Sequence, residues 1–69
     1  MITNYIVSGM TCGNCVNHVT EEVRELEGVT NVTVQLEGGT MVVESSDRIA
    51  FDSILEAVGE AGNYTVVEA

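Results

Sequence analysis

Two thiols and one imidazole stand close together in this 69-residue sequence, as Cys12, Cys15 and His18. Cysteines three residues apart can place both sulfurs on one ion, or on each other. They lie in Gly9-Met10-Thr11-Cys12-Gly13-Asn14-Cys15, between a β-branched stretch and a helical stripe, so they fall at a helix start. The partial positive charge of a helix N-terminus draws thiols toward the thiolate, the form that ligates metal. Two soft thiolates suit a soft, low-coordinate ion such as Cu(I). A structural zinc site wants four ligands, and nothing else in the chain obviously completes one. Two other readings stay open. The cysteines can serve as small buried hydrophobes, although flanking Gly13-Asn14 in a loop is a poor place for a core. They can also form a redox dithiol, since Cys-x-x-Cys between a strand and a helix is the thioredoxin arrangement. That fold is larger and faces its site with a cis-proline, whereas this chain contains no proline. His18 follows Cys15 by three residues, and i and i+3 share a side of a helix. It is therefore either a third ligand or a solvated histidine at a position the apolar stripe leaves polar.

The elements that hold these residues follow from periodicity. Ile2, Thr3, Tyr5, Ile6 and Val7 predict a strand over 2–8, with its inward face undecided because Ile6 and Val7 are adjacent. Cys15, Val16, Val19, Val23 and Leu26 predict a helix over 14–27, capped by Gly28. Val32, Val34 and Leu36 alternate with polar residues over 30–37, a half-buried strand. Gly38-Gly39 predicts a two-residue hairpin turn, and Thr40 to Glu44 the returning strand. Ser45, Ser46 and Asp47 are expected to cap a second helix with the stripe Phe51, Ile54, Leu55, Val58 and Ala61. Gly62-Asn63 breaks it, and Tyr64 to Glu68 forms the last strand. The order βαββαβ predicts an α+β, ferredoxin-like sandwich: one four-stranded antiparallel sheet with two helices on one face. The loop at 10–15, the Gly38-Gly39 turn and the Gly62-Asn63 loop then share one end, and Ser45–Asp47 lies at the other.

Length and charge limit what such a domain does. Residues 1–69 make a single domain with a small core, because a chain this short buries only about 60% of its unfolded surface. Eleven Asp and Glu against two Arg and no Lys give a net charge of −9. That balance excludes general nucleic-acid binding and docking on anionic lipid. With one Phe, two Tyr and no Trp, a base-stacking platform is absent too. No apolar run approaches the ~20 residues of a membrane span. The N-terminal residues lack the features of a signal peptide, so a cytoplasmic location is expected. Glu21, Glu22 and Glu25 on the first helix either steer docking onto a basic partner or are a solvated face that aids solubility.

Gly9-Met10-Thr11-Cys12-Gly13-Asn14-Cys15, in this six-element order, resembles the GMTCxxC motif of the heavy-metal-associated domain family. The resemblance covers essentially the whole chain, which is similar to the free-standing bacterial copper chaperones of that family. It implies a non-enzymatic protein that binds Cu(I) through Cys12 and Cys15. The metal would pass to a metal-binding domain of a copper-transporting P-type ATPase. Met10 would pack beneath the loop, and neutral Thr11 would favour Cu(I) over Zn(II). A residue of the last loop would stand near the metal, usually Lys or Tyr. In the family's bacterial pattern Tyr follows Gly directly. Here Asn63 intervenes, so Tyr64 either reaches the site or turns to ordinary strand packing. Within the resemblance the chain is expected to be monomeric without metal, with a copper-bridged dimer as a further state. Other members of the fold are metal-binding domains of heavy-metal transporters and mercury reductases, or copper buffers without a dedicated partner.

Overall fold

The elements of the computed structural model, which describes residues 1–69, run β1 (Ile2–Ser8), α1 (Gly13–Arg24), β2 (Val29–Val34), β3 (Thr40–Ser45), α2 (Phe51–Ala61) and β4 (Thr65–Glu68). The sheet order is β2-β3-β1-β4, with every neighbouring pair antiparallel. This is the expected ferredoxin-like sandwich. β1 and β2 run parallel with β3 between them, so α1 must cross over one sheet face to connect them.

Packing resolves the inward face of β1. Tyr5 and Val7 are buried, and Ile6 points to the open face opposite Thr40 and Val67. One cluster joins sheet residues Tyr5, Val7, Val32, Met41, Val43 and Val66 to helix residues Val19, Val23, Ile54, Ala57 and Val58. Val19, Val23, Ile54 and Val58 are fully buried. Each such side chain contributes about 1.5–3 kcal/mol relative to exposure. Phe51 stacks on Tyr5 with ring centroids 6.2 Å apart, closing the core at the start of α2.

Several boundaries differ from the sequence expectation. α1 ends at Arg24, with Glu25 as C-cap, and Gly28 does not cap it. Leu26 to Val29 form a turn instead, in which the Val29 amide donates to the Leu26 carbonyl. Gly28 occupies its third position at φ 91, as a type II turn requires. β2 stops at Val34, and Leu36 is exposed rather than inward. The hairpin loop is four residues long, Leu36 to Gly39, closed by the Gln35 amide on the Thr40 carbonyl. Gly38 and Gly39 do take positive φ, 81 and 68. Ser45, Ser46 and Asp47 cap nothing: Ser45 ends β3, and Ala50 precedes α2 without a side-chain cap. On α2, Ala57 turns inward where Leu55 was expected, and Leu55 is exposed.

These elements bring three loops to one end. The Val7 amide donates to the Gly39 carbonyl at 2.7 Å, and Gly9 lies against Asn63 and Tyr64. The opposite end joins Gly28 to Ser46, whose amide donates to the Gly28 carbonyl at 2.9 Å.

Candidate metal centre

β1 delivers the chain to Gly9, which turns at φ 104 and releases the loop toward α1. Cys12 is the N-cap of α1, in extended conformation at φ −156 and ψ 171. Its carbonyl accepts from the amides of Cys15 and Val16. Cys15 is therefore the third helical residue. Side chains at the N-cap and third positions converge over the first turn, as they do in a capping box. The two sulfurs stand 3.4 Å apart. Both cysteines are free; Cys12 is exposed and Cys15 half-buried. The first turn carries no acidic side chain, so the positive end of the helix dipole is left for the thiols. Arg24 in the last turn complements the other end.

The two thiols are not equivalent. The Tyr64 hydroxyl, then the Thr11 backbone and the Cys12 thiol, hold Cys15 well below its ordinary value, at about 6. The contacts of hydrogen-bond geometry at this sulfur are Cys12 Sγ and Thr11 Oγ1, the latter at 3.9 Å. The Tyr64 hydroxyl makes no hydrogen bond of that geometry to it, and its own pKa is raised, mainly by interaction with Cys15.

Tyr64 keeps the inward side of the last strand despite the extra residue. The Tyr64 amide donates to the Gly62 carbonyl at 2.9 Å, and Asn63 has negative φ. This is an inverse γ-turn centred on Asn63, a common device at strand ends. It absorbs one residue and returns Tyr64 to the side of the sheet that bears the helices, two residues before buried Val66. Met10 is half-buried against the core, and Thr11 is exposed. His18 is exposed on α1, and the fold assembles no group of three or more His, Cys, Asp or Glu side chains able to hold an ion. Cys12, Cys15, Thr11 and Tyr64 are thus brought together, with Met10 beneath, and His18 is not joined to them. Arg48 pairs with Glu68 at 3.3 Å on the surface.

The grooves of the molecule lie elsewhere. One, about 300 Å³, runs between the helices and is lined by Glu22, Glu25, Glu56 and Glu60 with Leu26, Ser53 and Ala57. The sequence reading of the acidic face named only the carboxylates of α1. Glu56 and Glu60, four apart on α2, were legible as its counterpart. The thiols stand at the exposed start of α1, outside these grooves.

A ferredoxin-like sandwich with a surface thiol pair at the start of its first helix defines a small βαββαβ dithiol module. The chain belongs to the heavy-metal-associated domain family, whose pattern matches residues 4–64. It is 36% identical over 62 residues to the copper chaperone CopZ of Staphylococcus aureus, covering 88% of this chain and 90% of that protein. A CopZ metallochaperone structure superposes with a TM-score of 0.87 at 31% identity, covering 97% of this chain and all of the other. The yeast copper transporter domain CCC2A, solved in apo and Cu(I)-loaded states, superposes at 0.86 with 26% identity, covering 99% and 93%.

Proposed function

We propose that this chain is a Cu(I) metallochaperone, not an enzyme, that binds one ion between Cys12 and Cys15 and hands it to a metal-binding domain of a copper-transporting P-type ATPase. The observation that carries the reading is the 3.4 Å thiol pair at the open start of α1, with one sulfur exposed and the other already biased to thiolate. Two thiolates leave coordination positions of Cu(I) open. An incoming thiolate can then attach before a resident one leaves, and the ion is never free. The bound pair carries one net negative charge. The helix-start amides and the Tyr64 hydroxyl stabilise it in place of a lysine. Softness and the neutral Thr11 favour Cu(I) over Zn(II).

The relatives named for copper support the metal, and the likeness to a copper transporter's own domain supports a partner built on the same fold. No helix is long and apolar enough to cross a membrane. Free thiols fit a reducing cytoplasm as the place of action. The acidic helix face would meet a basic surface of the partner, giving a transfer rate that falls with salt.

The test is anaerobic titration of the reduced protein with Cu(I) against a coloured Cu(I) chelator, with Zn(II) in parallel. One tightly held Cu(I) per chain and weak Zn(II) binding are expected. Failure to compete for Cu(I) removes the chaperone reading and leaves a redox dithiol to be examined through its reduction potential.

A further inference from the structure

Tyr64 is the one aromatic ring at the thiol end, and two glycines bound the space it occupies. A Cβ on Gly62 would lie 2.8 Å from Tyr64 Cε2, 3.1 Å from Cζ and 3.3 Å from the hydroxyl. A Cβ on Gly9 would lie 3.3 Å from Tyr64 Cδ1 and 3.3 Å from the Asn63 carbonyl. Gly9 precedes the thiol loop and Gly62 follows α2, so the ring is gripped by two segments distant in sequence. Both adopt conformations that L side chains avoid, Gly9 at φ 104 and Gly62 at φ 157 with ψ −167. The ring is half-buried against the core, and its hydroxyl and the Cys15 thiol perturb each other's proton affinity. Cys15 is correspondingly half-buried, while Cys12 has no such cover.

We propose that Gly9 and Gly62 are positioning residues whose bare Cα atoms form a slot for the Tyr64 ring, and that the seated ring covers Cys15 and leaves Cys12 as the open sulfur. The slot sets where thiol exchange begins. That consequence rests on the metallochaperone reading, but the slot is a property of the metal-free chain and is tested there.

Cys15 is read alone in metal-free protein carrying Cys12→Ser, by its rate of alkylation with a bulky maleimide at alkaline pH. Gly62→Ala, which pushes the ring out, and Tyr64→Leu, which removes it, should each speed the reaction about threefold or more, and the two together no more than Tyr64→Leu alone. Gly59→Ala, a helical glycine with open space around it, should match the parent. An unchanged rate in Gly62→Ala overturns the proposal, and so does an effect that multiplies with that of Tyr64→Leu. Should Gly62→Ala fail to fold, proton contacts decide in the unaltered protein. Nuclear Overhauser effects from the Tyr64 ring to the Hα atoms of both glycines are expected, and their absence overturns the slot. A chain that binds no Cu(I) yet shows these contacts and rates would lose its proposed function and keep the slot.

Discussion

Cys12 and Cys15 occupy the N-cap and third positions of α1, with their sulfurs 3.4 Å apart and no side-chain cap on the helix. Cysteine is a poor N-cap, and serine is among the best. Cys12→Ser should therefore separate folding from function. The hydroxyl can accept from a first-turn amide and raise metal-free stability by up to about 1 kcal/mol. The same change removes one of two proposed ligands. It should weaken Cu(I) binding by more than the roughly 10–100-fold that outer-shell changes cost. Denaturant unfolding beside the chelator competition checks both halves. A Cys12→Ser protein that kept competitive Cu(I) binding would refute the ligand assignment.

In the metal-free protein the Cys15 thiol is depressed from 9.0 to about 6, with the Tyr64 hydroxyl as the first cause. Tyr64→Phe should move the thiolate midpoint upward, as read by ultraviolet thiolate absorbance. The effect on stability has a definite sign. The unfolded chain holds the Cys15 proton over a pH range where the folded chain has released it, so stability rises with pH across that range. The contribution is fully present above about 9 and is lost as pH falls through about 6. Comparing unfolding midpoints at pH 6 and pH 9 in native and Cys15→Ser proteins isolates it. Equal slopes in the two would show that the thiol is not perturbed.

Much of this was legible in the sequence because the apolar pattern is strong. The Val19/Val23 and Ile54/Val58 stripes, the alternation through Val32, and five glycines at turns left one compatible topology. Two of the misreadings share a cause: periodicity carries past the point where the backbone turns. Leu36 continues the alternation of β2, yet the chain has already entered a four-residue loop. Leu26 continues the stripe of α1, although the helix has ended. At the site, the motif placed both thiols at a helix start. The position of Tyr64 could not be read, because it depends on whether Asn63 extends the strand or folds into a γ-turn. Asn63 and Tyr64 lie there against Gly9, more than fifty residues away in sequence.

Glu22 shows the opposite pH behaviour to Cys15. Its carboxyl is raised above the usual range, mainly by Glu25, with Glu60 of α2 and Glu21 contributing. The charged groups facing it across the helix groove are carboxylates, so the folded state concentrates negative charge there. Here the folded chain binds the proton more readily, and stability falls as pH rises through the carboxylate range. Glu22→Gln should leave neutral-pH stability unchanged or raise it, with the gain fading as salt screens the groove. Thermal melts at low and high salt read this directly. A clear loss of stability in Glu22→Gln at low salt would mean that the carboxylate makes a favourable contact that outweighs the repulsion.

Gly38 and Gly39 make a sharper comparison, because both have positive φ but only one is crowded. A Cβ on Gly38 would meet nothing closer than Thr40 Oγ1, at 3.8 Å. Gly38→Ala should then cost only the backbone penalty, about 1–2 kcal/mol. A Cβ on Gly39 would run into the Val7 carbonyl, part of the β1 backbone. Backbone cannot rotate away as a side chain can, so β1 and the hairpin must part. The hydrogen bond from the Val7 amide to the Gly39 carbonyl would be lost with that movement. Gly39→Ala should therefore cost clearly more than Gly38→Ala in denaturant unfolding, by at least about the 1 kcal/mol of a lost hydrogen bond. Val7 lies two residues before Gly9, so the displacement also reaches the start of the thiol loop. Faster amide exchange at Val7 in Gly39→Ala, and unchanged exchange there in Gly38→Ala, is the expected pattern. Equal stability costs for the two variants would show that the hairpin yields without disturbing β1.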